Sequence, residues 1–224
     1  MLTRKSCTKC GKCIEACPVS YPGHQGSALS LPSRQVTVSA LWQLLYPQLD
    51  LVRQIGGLTV SGGEALLQWE AVAALLRLCK DEGIHTAVET SGALPEKNIK
   101  AVAGLTDCWL YGLRPTPFYT PPHADRIILN LAFLSTTASR IIIRTPVMAG
   151  ITDLSSSLSR IAGIMQENRL TEIQLLPFNR ETSHYYNALG RTCRVGSEAI
   201  VTPGRLEMVR DFFTSKSFLA SIIQ

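Results

Sequence analysis

Apolar residues along this chain follow two rhythms that take turns. Short runs rich in branched and aromatic side chains occupy 57–60 (GLTV), 84–88 (IHTAV), 107–113 (DCWLYGL), 140–144 (RIIIR) and 172–177 (EIQLLP). Bounded by turn signals, runs of that length read as buried strands. Around them, 65–82, 95–104, 124–138, 154–168 and 203–214 space their apolar residues three and four apart, which lines up one face of a helix. Ahead of the first strand, Leu41, Leu44, Leu45, Leu49 and Val52 keep helical spacing over 38–54. Pro47 interrupts that stretch, because its missing N–H breaks or kinks a helix. Residues 18–35 (PVSYPGHQGSALSLPSRQ) hold neither rhythm, and their Pro, Ser and Gly mark a loop or linker.

Strand–helix alternation predicts an α/β fold, a parallel sheet covered by helices and either open or closed into a barrel. Five strands are predicted, fewer than most closed barrels need. In such sheets ligands gather at the carboxyl ends of the strands. Polar and Gly residues follow each predicted strand here: Ser61-Gly62-Gly63-Glu64, Glu89-Thr90-Ser91-Gly92, Gly112-Leu113-Arg114, Arg144-Thr145-Pro146 and Phe178-Asn179-Arg180. Five such ends point to one shared site.

Taken singly, each residue leaves two readings open. Bare backbone at Gly62 and Gly63 admits a ligand closely, and Glu64 beside it suits a cationic group such as an amino nitrogen. The same Glu64 also suits a plain helix N-terminus, where a carboxylate is favoured by the macrodipole. Arg144 ends a β-branched strand, a costly place for a charge unless it meets a neighbouring acid or an anion. Glu89 poses the same choice. Cys79 on an apolar helix face and Cys108 in a strand read as core thiols. His85 and His123 read as structural or loop residues, and Tyr185 and Tyr186 as packing residues.

Composition narrows the classes. The 224 residues are 46% apolar and 17% charged, which excludes a disordered chain, a coiled coil and a collagen-like repeat. A net charge of +5 scattered along the chain and an aromatic content of 7% argue against nucleic acid as a partner. The most apolar helical stretch, 71–79, contains Arg77 and falls short of the roughly 20 residues a membrane span needs. The first residues lack the apolar core of an export signal. No membrane association and a cytoplasmic location are the expectation.

The cysteines are the strongest signal. Four of seven crowd together as Cys7-x2-Cys10-x2-Cys13-x3-Cys17 followed by Pro18, the bacterial ferredoxin signature for a [4Fe–4S] cluster. Gaps of two let successive thiolates wrap one iron–sulfur cube, with Gly11 relieving the crowded turn. Structural zinc is the alternative, though it usually takes two separated Cys pairs. In two-cluster ferredoxins the fourth cysteine of this signature ligates the other cluster. Cys17 therefore predicts either a distant completing cysteine or a partner motif upstream of Met1, and the second implies a chain cut at its start. The expected organisation is a ferredoxin-type iron–sulfur insert and linker over 1–35 and an α/β domain over 36–224.

Together, CTKCGKCIEACP, GGLTVSGGEALLQ, GIHTAVETSGALP, IIIRTPVMAGITD and IQLLPFNRETSHYYNALG resemble, in order, the glycyl-radical-enzyme activating proteins, the pyruvate formate-lyase-activating type of radical S-adenosylmethionine (SAM) enzymes. The resemblance implies a partial radical SAM (β/α) barrel, here lacking its first strand, that binds SAM beside a [4Fe–4S] cluster. It implies reductive cleavage of SAM to methionine and a 5′-deoxyadenosyl radical, which takes a hydrogen from a glycine of a partner glycyl radical enzyme. A flavodoxin or ferredoxin-type protein would donate the electron. By match, Gly62, Gly63 and Glu64 would hold the SAM amino group, Glu89, Thr90 and Ser91 would line the pocket, and Arg144 would reach the SAM carboxylate or ribose side. Asn179 stands where the family commonly has His, Ala65 where it has Pro, and Gly112-Leu113-Arg114 where it has Asp-x-Lys. The family's Cys-x3-Cys-x2-Cys loop is absent from the 224 residues. Two other classes fit the same residues: an iron–sulfur electron-transfer protein, or an inactive remnant that only binds a partner.

Overall fold

A computed structural model of the chain describes residue 12 and residues 35–114, 121–188, 191–193 and 195–223. Cys7, Cys10, Cys13 and Cys17, and with them nearly all of the insert expected over 1–35, lie outside the described residues. The chain divides into two units, residues 1–41 and 42–224. In the first, the Thr37 hydroxyl accepts the Ala40 N–H at 3.1 Å and opens helix α1 (Val38–Leu45), which runs on into the second unit. Pro47 falls in a 3-10 turn (Tyr46–Gln48), and α2 (Leu49–Ile55) follows, so the helical stretch breaks where the proline predicts.

From there strands and helices alternate: β1 (Leu58–Val60), a 3-10 turn (Ala65–Gln68), α3 (Trp69–Asp81), β2 (Thr86–Thr90), α4 (Glu96–Ala103), β3 (Cys108–Gly112), α5 (Pro121–Ser135), β4 (Arg140–Val147), α6 (Ser155–Glu167), β5 (Glu172–Pro177), α7 (Thr182–Ala188), α8 (Pro203–Thr214) and β6 (Leu219–Ile222). All strands are parallel and lie in sequence order, β1 through β6. The sheet thus has six strands among the described residues, where the apolar pattern predicts five. Its last strand, LASI, is short and half-exposed and lacks the branched run that marks the others. Helix α7 is likewise unannounced by the pattern. Tyr185 and Tyr186 on it are exposed rather than packed.

Alternation along the strands separates the two faces. Val88, Trp109, Tyr111, Ile141 and Ile143 pack with the helices, against buried residues such as Leu76, Ile99, Leu131 and Phe213. Each such side chain contributes roughly 1.5–3 kcal/mol on burial. The opposite face carries a smaller cluster, Ala87, Cys108 and Ile142, with Leu110 against it. Cys79 belongs to a third group with Leu49 and Ile84. Burial pushes both the Cys79 and the Cys108 thiols up, as core thiols should be.

Charges at the amino ends of the strands are fully engaged. The Asp107 carboxylate accepts from Lys80 Nζ, from the Thr86 N–H at 2.8 Å and from the Thr86 hydroxyl at 3.1 Å. Partial burial opposes its ionisation, but the bonds from Lys80 and Thr86 outweigh that and hold the carboxyl below its ordinary range. Arg140 grips Glu172 through two bonds of 2.8 and 2.5 Å, which keeps the Glu172 carboxyl low as well.

Candidate functional site

Past the carboxyl end of β1 the chain turns through Gly62 and Gly63 to Glu64. Gly62 has φ +152°, and no atom lies within 4 Å of where a Cβ would sit on either glycine, so this backbone stands open. Glu64 is extended and leads into the Ala65–Gln68 turn. Its carboxylate reaches the end of β2 and accepts three bonds there: the Thr90 hydroxyl on Oε1 at 2.8 Å, and the Ser91 N–H and hydroxyl on Oε2 at 2.9 and 2.7 Å. A carboxylate offers about four acceptor positions, so one on Oε1 is left for a further donor.

One residue earlier on β2, Glu89 accepts Arg144 Nη1 of β4 at 2.6 Å on Oε1 and the Ser61 hydroxyl at 2.6 Å on Oε2. Strand β3 runs between β2 and β4, and the residue in register with Arg144 is Gly112. The guanidinium reaches across β3 to its acid. The arginine is mostly buried, and its Nε is buried with no hydrogen-bond partner among the described residues. Of the two readings open for Arg144, the salt bridge is present. It still leaves one buried N–H to be met, and such a group costs roughly 1–3 kcal/mol unsatisfied.

These bonds bring Ser61, Gly62, Gly63, Glu64, Glu89, Thr90, Ser91 and Arg144 to the ends of β1, β2 and β4. The arrangement holds the Glu64 carboxylate and the Arg144 guanidinium side by side, bonded to Thr90 and Glu89, consecutive residues of β2. That donor set fits the two charged ends of an α-amino acid, one ammonium and one carboxylate. Of this group the sequence singles out all but Ser61 as candidate site residues, and only the fold reveals the bond from Ser61 to Glu89.

Asn179 stands apart from this group. It lines a cavity of about 590 Å³ past β4 and β5, with Arg114, Met148, Phe178, Tyr186 and Cys193 on its walls. The Asn179 side-chain oxygen is taken by the Glu181 N–H at 2.9 Å. The cavity is mostly apolar, and Arg114 brings a cation to its edge without a hydrogen-bond partner among the described residues. Among the described residues no three His, Cys, Asp or Glu side chains gather as a metal site, and no helix is long and apolar enough to cross a membrane.

No family model matches the chain. In sequence it is similar to the 4-hydroxyphenylacetate decarboxylase activating enzyme of Clostridioides difficile strain 630, 29% identical over 90% of this chain and 64% of that enzyme. It is also similar to the choline trimethylamine-lyase activating enzyme of Oleidesulfovibrio alaskensis, 27% identical over 97% of this chain and 82% of that enzyme. The chain thus spans less than two thirds of the length of the first of these relatives. In fold it is similar to a domain of a pyruvate-formate lyase-activating enzyme from Bacteroides vulgatus ATCC 8482, with a TM-score of 0.60 and 20% identity over 75% of this chain and 99% of that domain. The α/β fold expected from the sequence is the one found.

Proposed function

Starting from kinship with the glycyl-radical-enzyme activating enzymes, we propose that this chain binds SAM at the carboxyl ends of β1, β2 and β4 and serves in activating a glycyl radical enzyme. The observation that carries this reading is the pairing of Glu64 with Thr90 and Ser91 beside the pairing of Glu89 with Arg144. Glu64 and the open Gly62–Gly63 backbone receive the ammonium of the methionine end, and the Arg144 guanidinium faces its carboxylate or the ribose side. Thr90, Ser91 and Glu89 hold both charged groups in place before ligand arrives, so little reorganisation is needed on binding. The apolar cavity beside Asn179 and Arg114 lies farther along the same end of the sheet.

Cys7, Cys10, Cys13 and Cys17 form a soft four-thiolate donor set that suits a [4Fe–4S] cluster. Such a cluster supplies electrons at low potential, and a flavodoxin or ferredoxin-type protein is the matching donor. The 224 residues hold no Cys-x3-Cys-x2-Cys, the loop that by resemblance would offer iron to SAM. The 224 residues alone therefore bind SAM without turning it over.

The test is anaerobic reconstitution of the full chain with iron and sulfide, followed by equilibrium dialysis against labelled SAM and assay of 5′-deoxyadenosine under strong reductant. The reading expects a brown chromophore lost in Cys10→Ser and Cys13→Ser, saturable SAM binding, and no multiple turnover. Absence of saturable binding up to millimolar SAM would overturn the SAM site. Bound zinc without the chromophore would overturn the cluster.

A further inference from the structure

Glu64 takes its orientation from Thr90 and Ser91, so whatever fixes that loop also fixes the carboxylate. The loop after β2 is held from beneath by helix α5. Asn130 is 1% exposed, and its Nδ2 donates to the Gly92 carbonyl at 2.8 Å and the Leu94 carbonyl at 2.9 Å. One turn earlier on the helix, the Ile127 carbonyl accepts the Tyr111 hydroxyl at 2.7 Å. That hydroxyl fills the space beside Gly92, where an added Cβ would collide with it, and Gly92 takes φ +70°, which favours glycine. Above the clamp, the Gly92 N–H donates to the Thr90 hydroxyl at 3.1 Å and the Ala93 N–H to the Ser91 hydroxyl at 3.4 Å. Both hydroxyls donate onward to Glu64. The chain of bonds runs unbroken from a buried amide in α5 to the carboxylate at the mouth of the site.

We propose that Asn130 is a positioning residue: by clipping the Gly92 and Leu94 carbonyls it holds Thr90 and Ser91 in the geometry that aims the Glu64 carboxylate. The ligand side of this inference rests on the SAM reading, whereas the clip itself does not. An amide is suited to the task because its two N–H groups can serve two carbonyls at once while burying no charge. Its position among apolar neighbours on α5 also ties the site to the core, so the loop cannot shift without opening a buried hydrogen-bond pair.

The experiment compares the full chain with Asn130→Ala, Asn130→Asp and Leu131→Ala. Asn130→Asp keeps the side-chain volume but faces a carboxylate to two carbonyls. Leu131→Ala removes a fully buried neighbour on the same helix without touching the clip. Hydrogen exchange without ligand is the first readout. Both Asn130 variants are expected to speed exchange of the Ser91, Gly92 and Ala93 amides roughly tenfold or more relative to those of β3, and Leu131→Ala is not. Unchanged protection at 91–93, or the same selective loss in Leu131→Ala, would overturn the clip. The second readout is SAM affinity, expected to fall about tenfold in Asn130→Ala and to show no further fall when Glu64→Gln is already present. A full additional loss in the Glu64→Gln background would show that Asn130 does not act through Glu64. If the unmodified chain fails to bind SAM, the functional reading falls while the exchange measurement still decides the clip.

Discussion

Both ends of the parallel sheet hold acid–base pairs, yet they differ in what is left over. At the amino ends, Asp107 accepts from Lys80 and from two groups of Thr86, and Arg140 and Glu172 pair through two bonds. At the carboxyl ends the same residue types stop one bond short. Arg144 keeps a buried N–H without a partner among the described residues, and two glycines leave the backbone bare. On the proposed SAM reading the amino-end pairs serve stability and the carboxyl-end groups a ligand, so substitution should separate the two ends by the property that changes.

The largest effects fall at the carboxyl ends. Glu64→Ala and Arg144→Ala each remove a charge-assisted contact worth ~1.5–3 kcal/mol, so SAM affinity should drop roughly ten- to a hundredfold in equilibrium dialysis. Parent-like binding in both variants would dissolve the contrast. Asp107→Ala, at the other end, should leave SAM binding untouched and lower stability by roughly 1.5–3 kcal/mol, since it strands the buried Thr86 N–H. In a chain of this size that is a fall in Tm of about 4–10 °C by thermal unfolding.

A pH series sharpens the same point. The Asp107 and Glu172 carboxyls lie below their ordinary range when folded, so their contribution is complete above the unfolded value of about 4 and is lost as pH falls through the lowered folded values. The parent should therefore lose Tm steeply below about pH 4, and Asp107→Asn should lose less across that window. The smallest effect belongs to Arg140→Gln. This arginine is 60% exposed, so its bidentate pair with Glu172 should be worth at most ~1 kcal/mol in a urea titration.

Only the carboxyl-end half of this contrast is readable in the sequence, because it follows from periodicity. Strand ends are where apolar runs stop, and SGGE, ETSG and IIIRT announce themselves there. Helix α8 coincides with the predicted 203–214 because Pro203 and the Thr202 cap mark its start in the sequence itself. What stayed hidden depends on contacts across the sheet. Arg144 has an acid or an anion as equal partners in the sequence, and only the fold brings Glu89 to it. Asn130 gives no signal in ILNLAFL, since its two partners lie in a loop more than thirty residues earlier. Strand β6 was missed for a third reason: an edge strand buries little, so selection for apolar alternation is weak there.

The order of the sheet has a consequence for how the chain assembles. Every strand pairs only with its neighbours in sequence, so each pairing closes one helix-containing loop and needs no earlier strand to be threaded past. The closures are not equal. Ala87 meets Cys108 after a short span, whereas Glu172 must wait for Leu219, across α7 and α8. Closure entropy rises by only ~0.6 kcal/mol for each doubling of loop length, and β6, a half-exposed strand of four residues at the rim, gains little in return, as does three-residue β1 at the other rim. The expected order is that β6 docks late and opens early, which hydrogen exchange of 219–222 against 108–112 would check.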